Sequence, residues 1–355
     1  MKKLKTLRSK IDKIDSGILK YLNERAQLSI DIGKIKSESA KPKFSPVREA
    51  DVYQKIINAN KGPMLEKAVK AIYMEIMSGS LALQTRLKIA YLGPEATFTH
   101  IGALKKFGHS LDYLECDSIK DVFTEVERNR ASYGVVPVEN STEGAVNHTL
   151  DMFVDSDLKI CSEEYLPVQH NFVSKLKTIS SIKTVYSHQQ VFAQCRNWLE
   201  KNMPQAKLVP VASTTVAAMS AAVGKGRAAI ASNLAAERYG LNILARSLED
   251  SSHNITRLLV IGKQDEKRTG NDKTSILFSM KDKSGALHDV LTSFKNNKIN
   301  LTKIESRPSK KKAWRYYFFL DMQGHIADKS IAKSLQQLKK HCSFLKILGS
   351  YPEAR

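Results

Sequence analysis

Five short polar clusters hold the residues able to do chemistry. The densest is Glu139-Asn140-Ser141-Thr142-Glu143, which interrupts Gly134-Val135-Val136-Pro137-Val138 before the chain resumes at Gly144-Ala145-Val146. A valine-rich run that breaks into carboxylates, an amide and two hydroxyls reads as a buried strand ending in a loop. Open α/β sheets place ligand sites at such strand ends. Ser141 or Thr142 also suits the N-cap of a helix expected to follow, but capping needs only one such side chain, and the excess points to ligand contact. The other clusters are Thr97-Phe98-Thr99, Ser187-His188-Gln189-Gln190 with Gln194, Ser213-Thr214-Thr215, and Asn254-Ile255-Thr256-Arg257. Each alone is compatible with a cap or turn; their recurrence after expected strands favours one shared cleft. His188 stays open between general base and turn residue, since no carboxylate lies near it in sequence. No G-x-S-x-G elbow is present, which argues against a serine hydrolase.

The elements that must position these clusters follow from apolar periodicity. Strands are expected at 88–92, 133–138, 158–166, 183–186, 207–211, 227–231 and 255–261, with helices at 99–107, 118–129, 189–200, 213–223 and 232–239. Alternating strands and helices mean α/β, and two series of them mean two lobes with a ligand cleft between. Ahead of this segment, Leu4, Leu7, Ile11, Ile14, Ile18, Tyr21, Leu28, Ile32 and Ile35 recur in steps of three and four. They predict one helix to Lys36, roughly 50 Å long. So long a seam needs a partner helix, most simply from a second chain. Arg25 falls on the seam and Lys36 lies three turns further along nearly the same face. A cation there either meets an anion or sets register and snorkels outward. Helices over 46–58 and 65–84 complete an all-helical segment. At the other end, a charged stretch at 263–272 reads as a linker. It is followed by β-α-β-β-α-β, a ferredoxin-like sandwich, with Lys310-Lys311-Lys312 at a hairpin tip.

The chain has 355 residues, enough for two or three domains, and a net charge of +20. A basic protein binds nucleic acid through phosphates or draws small anions into cationic pockets. Here the charge is spread along the chain and aromatics, at 7%, do not cluster beside it, which favours a small anionic metabolite. Cys116, Cys161, Cys195 and Cys342 form no C-x-x-C pair, arguing against zinc or dithiol chemistry and fitting a reducing compartment. Asp12 and Asp15 interrupt any signal-peptide core, and no run has the length of a membrane span. The expectation is a cytoplasmic protein without metal or cofactor.

Three sets of motifs carry resemblances to known families. Leu7-Arg8-Ser9-Lys10-Ile11-Asp12, Asn23-Glu24-Arg25, Gly33-Lys34-Ile35-Lys36, Pro46-Val47-Arg48-Glu49 and Ser80-Leu81-Ala82-Leu83-Gln84 resemble the all-helical chorismate mutase. That resemblance implies intertwined protomers and a pocket lined by Arg25, Lys36, Arg48, Glu49, Ser80 and Gln84, with Arg8 entering from the other chain. Lys36 and Gln84 would donate to the ether oxygen of chorismate, Glu49 would meet its ring hydroxyl, and arginines would clamp its carboxylates. Ser45 stands where the family often has aspartate. Tyr91-Leu92-Gly93-Pro94-Glu95-Ala96-Thr97-Phe98, Gly134 to Val146, Tyr186-Ser187-His188, Gln194-Cys195-Arg196, Ala228-Ala229-Ile230-Ala231-Ser232 and Asn254-Ile255-Thr256-Arg257 resemble prephenate dehydratase. This implies a two-lobed, periplasmic-binding-protein-like α/β domain that removes water and carbon dioxide from prephenate. Thr256 would be the proton donor or its positioner, and Arg257 would pair a carboxylate. Glu139, Asn140, Ser141, Thr142 and Gln194 would orient substrate and donor, with Thr97 in the same cleft. Ala96, Gln189 and Leu258 depart from the family's usual glycine, proline and phenylalanine. Finally, Ser284-Gly285-Ala286-Leu287-His288 and Glu305-Ser306-Arg307-Pro308 resemble the ACT regulatory domain. This implies phenylalanine bound by Gly285, Ala286, Leu287, Glu305, Ser306, Arg307 and Pro308 between two such domains, although Ser284 replaces a common proline. The expected organisation is a multidomain chain: helical mutase over 1–86, dehydratase over 87–265 and an α+β ACT domain over 273–355, at least dimeric. A non-catalytic mutase domain, arogenate as substrate, and a two-lobed amino-acid sensor without turnover stay open.

Overall fold

Helix α1 (Lys2–Glu38) has 37 residues and is about 55 Å long. With α2 (Pro46–Ala59) and α3 (Glu66–Gln84) it forms the expected helical segment. Ser45 caps α2, its Oγ accepting from the Arg48 N–H at 3.3 Å, so serine serves where aspartate is also a good cap. Small residues let α1 approach α3: Ser29 and Gly33 are buried, and a Cβ on Gly33 would lie 3.1 Å from Gln84 Cβ. Arg25 belongs to this α3-facing stripe and not to the apolar seam. The seam itself, including Leu7, Ile14, Ile18, Leu28 and Ile35, is more than half exposed. The computed structural model describes residues 2–38, 44–251, 253–281, 283–309 and 316–354; the Lys310-Lys311-Lys312 run lies outside the described residues. The chain forms two compact units, Met1–Lys88 with Phe107–Asp112, and Ile89–Lys106 with Tyr113–Arg355.

The second unit begins with a lobe made of β1 (Lys88–Leu92), α4 (Phe98–Phe107), β2 (Asp112–Cys116), α5 (Ile119–Glu127), β3 (Tyr133–Asn140), β4 (Gly144–Ala145), α6 (Asn147–Asp155) and β5 (Lys159–Pro167). A second lobe follows: β6 (Asn171–Ser174), β7 (Thr184–Ser187), α7 (Gln189–Gln194), α8 (Arg196–Asn202), β8 (Lys207–Pro210), α9 (Thr214–Ala222), β9 (Arg227–Ala231), α10 (Asn233–Arg238) and β10 (Asn242–Ala245). The chain then returns through β11 (Ile255–Gly262) to the middle of the first sheet, whose order is β2-β1-β3-β11-β5 with β4 paired to β3. The second sheet runs β10-β6-β9-β7-β8. The two crossings between lobes are tied at Val168 N–H to Asn254 O and Leu248 N–H to His170 O, both 2.8 Å. Ala96 has φ 69°, a left-handed conformation that explains why glycine is common there.

The polar loop after β3 is a hairpin and not a helix cap. Asn140 Oδ1 accepts the backbone N–H groups of Thr142 (3.0 Å) and Glu143 (3.2 Å), closing an Asx turn. The chain reverses and Gly144 pairs with Asn140. Helix α6 starts only at Asn147, capped by Val146 without a side-chain bond, so neither Ser141 nor Thr142 caps it.

The C-terminal segment contains β12 (Asp272–Met280), α11 (Ala286–Asn296), β13 (Leu301–Pro308), β14 (Tyr316–Gln323), α12 (Lys329–His341) and β15 (Cys342–Pro352). The sheet order β13-β14-β12-β15 is that of the expected ferredoxin-like sandwich. The stretch expected as a linker is packed down: Glu266 is buried, and Gln264 Nε2 donates to the Tyr133 hydroxyl at 2.8 Å. The sandwich also buries apolar residues in the first lobe's core, where Leu277, Phe319, Leu348 and Tyr351 join Val136, Val138 and Leu259. None of the described helices is long and apolar enough to cross a membrane.

Gly349 on β15 marks the closest approach: a Cβ there would sit 2.3 Å from the Ile160 carbonyl oxygen of β5. Neither backbone can turn aside cheaply. Gly349→Ala should destabilise the chain by about 1–3 kcal/mol, the usual cost of overpacking, read as a lower denaturant midpoint. An unchanged midpoint would mean that β15 and β5 are free to separate.

Candidate functional site

In the helical segment, α1 and α3 bring together most of the expected mutase residues. Arg25 Nη1 donates to Ser80 Oγ and, at 3.4 Å, to the Ile76 carbonyl; Ser80 Oγ donates to the same carbonyl at 2.7 Å. Burial lowers the pKa of Arg25, partly offset by Tyr73, and nearby Arg48 lowers it further. Burial also lowers that of Lys36. Gln84 Oε1 is buried without a partner among the described residues. Two arginines held close, with an unsatisfied amide one turn beyond Ser80 on α3, are suited to an oxygen-rich anion. Glu49 lies in the first turn of α2, beside Arg48. Arg8 is exposed, roughly 25 Å from Arg25 along the helix at 1.5 Å per residue, and is not brought to this cluster by its own chain.

The two-lobed segment holds a cavity of about 250 Å³ between its lobes, lined by Thr97, Asn140, Gln194 and Thr256 among the expected residues. No lysine or arginine lines it among the described residues. The cavity instead receives the N-terminal ends of α4 (Thr97, Phe98, Thr99) and α9 (Ser213, Thr214), where free backbone N–H groups favour anions. His188 also lines it, with Nδ1 accepting the Gln190 N–H at 3.4 Å as the cap of α7.

One hydrogen-bond chain crosses the cavity floor, and its polarity is fixed. Backbone amides can only donate, so the Asn140 oxygen must face Thr142 and Glu143. Its Nδ2 therefore donates to Asn254 Oδ1 (2.8 Å) and Thr256 Oγ1 (3.0 Å). Asn254 Nδ2 then donates to Gln194 Oε1 (3.3 Å), and Gln194 Nε2 donates to Glu143 Oε1 (2.8 Å). His170 Nε2 lies 2.9 Å from Gln194 Oε1 and must carry the proton, which leaves Nδ1 as a buried acceptor without a partner among the described residues. Burial lowers the pKa of His170, with Gln194 and Glu249 opposing. The Thr256 hydroxyl accepts from Asn140, and none of the described residues takes its proton. Its O–H is available to a ligand.

Four expected residues lie elsewhere. In the β3–β11 ladder Thr256 faces Asn140 and Arg257 faces Glu139. Successive side chains point to opposite faces of a sheet, so the second pair must turn away from the cavity. Arg257 is buried against the C-terminal sandwich, bonded to Glu163, Asp321 and Tyr351. Glu139 Oε2 meets Lys303 Nζ of the sandwich at 2.9 Å. Ser141 Oγ donates to His253 O (2.6 Å) and accepts the Ile255 N–H (2.9 Å), tying the hairpin to β11. Thr142 Oγ1 donates to Asn140 Oδ1 at 2.6 Å and so buttresses the turn. Leu258 faces the same side as Thr256 and is fully buried against Gly102 of α4.

The same alternation divides the expected regulatory residues. Gly285 adopts φ 75° just before Ala286 and Leu287 open α11. On the edge strand β13, Glu305 and Arg307 are half-buried on the side of the first lobe, Arg307 Nη2 lying 3.6 Å from Asp151, while Ser306 and Pro308 are exposed on the other side. His170, Glu143 and the donor role of Asn254 were missed in sequence; His170 lies outside every polar cluster.

A family model for prephenate dehydratase matches residues 89–266, one for type II chorismate mutase residues 7–85, and one for the ACT domain residues 274–340. The chain is 51% identical over 358 residues to the bifunctional chorismate mutase/prephenate dehydratase of Aquifex aeolicus, covering 100% of this chain and 99% of that protein. It is 45% identical to the protein of the same description from Stutzerimonas stutzeri, over 99% of this chain and 98% of that one. A crystal structure of prephenate dehydratase from Arthrobacter aurescens in complex with L-Phe superposes with a TM-score of 0.70 at 32% identity, covering 76% of this chain and 90% of that chain.

The tautomer of His170 is directly measurable. Nitrogen-15 spectra of the histidine-labelled chain should show an Nε2–H imidazole that stays neutral as the pH falls through about 6.5, the ordinary histidine value. An Nδ1–H form, or ordinary titration, would contradict the hydrogen-bond polarity derived above.

Proposed function

The chain belongs to the bifunctional chorismate mutase/prephenate dehydratase family, and we propose on that premise how its residues carry out the two reactions. The helical domain, residues 1–86, rearranges chorismate to prephenate. The two-lobed domain, residues 87–265, removes water and carbon dioxide from prephenate to give phenylpyruvate. The ACT domain, residues 273–355, makes the second activity sensitive to phenylalanine.

In the mutase, Arg25 and Arg48 hold the carboxylates of chorismate, and Ser80 keeps the Arg25 fork in place. Lys36 and Gln84 donate to the ether oxygen as negative charge develops on it, and Glu49 accepts from the ring hydroxyl. The open apolar seam of α1 supports a homodimer, in which Arg8 reaches the pocket of the second copy. Four free cysteines fit a cytoplasmic location.

In the dehydratase, the free O–H of Thr256 is the observation that carries the reading. The Asn140 amide donates to the same oxygen, which strengthens Thr256 as a donor. Its polarised hydrogen bond stabilises the departing ring hydroxyl, which leaves as hydroxide and becomes water by taking a proton from solvent. The C–C bond to the ring carboxylate breaks, carbon dioxide leaves, and the electron pair enters the aromatic ring. Gln194 and Asn140 orient the substrate, Thr97 lines the anion-binding end of α4, and Ser141 and Thr142 act by building the turn. A cavity without cations suits this step: a carboxylate that must depart as neutral carbon dioxide gains nothing from a fixed positive charge. Helix N-termini suffice to bind the remaining carboxylate.

The test is to feed chorismate to the purified chain and follow its loss and the appearance of phenylpyruvate, with and without phenylalanine. Thr256→Val should cost on the order of 10²-fold or more in dehydratase rate and leave the mutase rate unchanged; Lys36→Ala should do the reverse. Wild-type dehydration by the valine variant would remove Thr256 from its role. No loss of chorismate beside an active dehydratase would reduce the helical domain to a dimerising element.

A further inference from the structure

The face of β3 and β11 opposite the cavity carries a buried polar network whose partners come mostly from the C-terminal sandwich. Arg257 donates through Nη1 to Asp321 Oδ2 of β14 at 2.5 Å, through Nη2 to the Tyr351 hydroxyl of β15 at 3.0 Å, and through Nε to Glu163 Oε2 of β5 at 2.8 Å. Asp321 is held in turn by Ser275 Oγ of β12 at 2.5 Å, and Ser275 also meets the Tyr351 hydroxyl at 2.6 Å. Lys273 of β12 bonds Glu163 at 2.8 Å. One position along the neighbouring strand, Glu139 bonds Lys303 of β13 at 2.9 Å. Arg257, Glu163, Asp321 and Lys273 are all buried.

These residues are in direct backbone continuity with the cavity. Arg257 follows Thr256, and Glu139 precedes Asn140. The sandwich therefore grips, from behind, the two strands that present the Thr256–Asn140 pair. A β-bulge in the β3–β11 register falls between Arg257 and Leu258, where pairing is already interrupted and the strand can bend. A buried guanidinium cannot be left unpaired without large cost, so a shift of Asp321 obliges Arg257 to follow. A shift of Arg257 moves the next residue, whose hydroxyl must meet the leaving group to within a fraction of an ångström.

We propose that Arg257 is a positioning residue for Thr256, and that its pair with Asp321 is the link through which the sandwich sets the dehydratase rate. The inference rests on the dehydratase reading above. It makes the dehydratase depend on the sandwich through one ion pair, with Lys303–Glu139 as a parallel contact.

The test uses the full chain with Asp321→Asn, which keeps the shape and an acceptor for Ser275 but removes the charge. The variant should lower kcat for prephenate while leaving KM nearly unchanged. It should also weaken phenylalanine inhibition roughly five- to a hundredfold, the usual size of a coupling between sites. Phenylalanine binding by calorimetry and the chorismate mutase rate should match the parent chain. Unchanged kcat and unchanged inhibition would overturn the proposal. So would a parallel loss of inhibition and of phenylalanine binding, which would make the pair a mere support of the sandwich. If Asp321→Asn fails to fold, Lys303→Met is judged by the same readings at the parallel contact. Failure of the underlying dehydratase reading is separately visible, because the parent chain itself would then not turn over prephenate.

Discussion

A β-strand can offer only every second side chain to a given face, and the organisation of the two-lobed segment depends on that constraint. Strands β3 and β11 lie side by side at the centre of the first sheet. Their register sets Thr256 opposite Asn140 and Arg257 opposite Glu139. The first pair opens on the cavity. The second pair, one residue away in each strand, is committed to the opposite face, where Arg257 is desolvated and both residues meet counter-charges. Asp321 and Lys303 of the sandwich supply them, together with Glu163 from the first lobe. Burial disfavours the charge on Arg257, but Tyr351, Asp321 and Glu163 outweigh it and hold the guanidinium ionised. Catalytic and regulatory segments are thus two faces of one pair of strands.

A second constraint is the direction of hydrogen bonds. Two backbone amides in a tight turn fix the orientation of Asn140, and every later donor in the chain to Gln194 and His170 follows from it. The result is a threonine whose oxygen is occupied and whose proton is free. That arrangement depends on the hairpin. The hairpin turn supplies the two backbone N–H groups that hold the Asn140 oxygen, and its pairing of Gly144 with Asn140 fixes that turn.

Much of this was legible in the sequence. The long helix, the two series of strands and helices, and the β-α-β-β-α-β sandwich followed from periodicity, because each is long or strongly patterned. The polar clusters at 97–99, 187–190, 213–215 and 254–256 do converge on one cavity. What was lost was finer. Reading Glu139-Asn140 and Thr256-Arg257 as contiguous motifs put neighbours on one face, which the pleat forbids. The same error merged Glu305 and Arg307 with Ser306 and Pro308. The strands β2, β6 and β10 are four or five residues long and carry too little pattern to be seen. His170 left no signal because its neighbours are apolar or unremarkable; its role comes from the crossing between lobes, which only the fold creates. The 263–272 stretch looked like a free tether because it is charged, yet Gln264 and Glu266 are fastened by Tyr133 and His325, 131 and 59 residues away in sequence.

The account stands most directly on the division of β11 into two faces. A crystal structure of the full chain with an unreactive dicarboxylate analogue of prephenate in the cleft would test it. Thr256 Oγ1 should lie within hydrogen-bond distance of the ligand's hydroxyl position, with Asn140 still bonded behind it and Arg257 still on Asp321. A structure in which Arg257 or Glu139 reaches the ligand would contradict the account at its foundation.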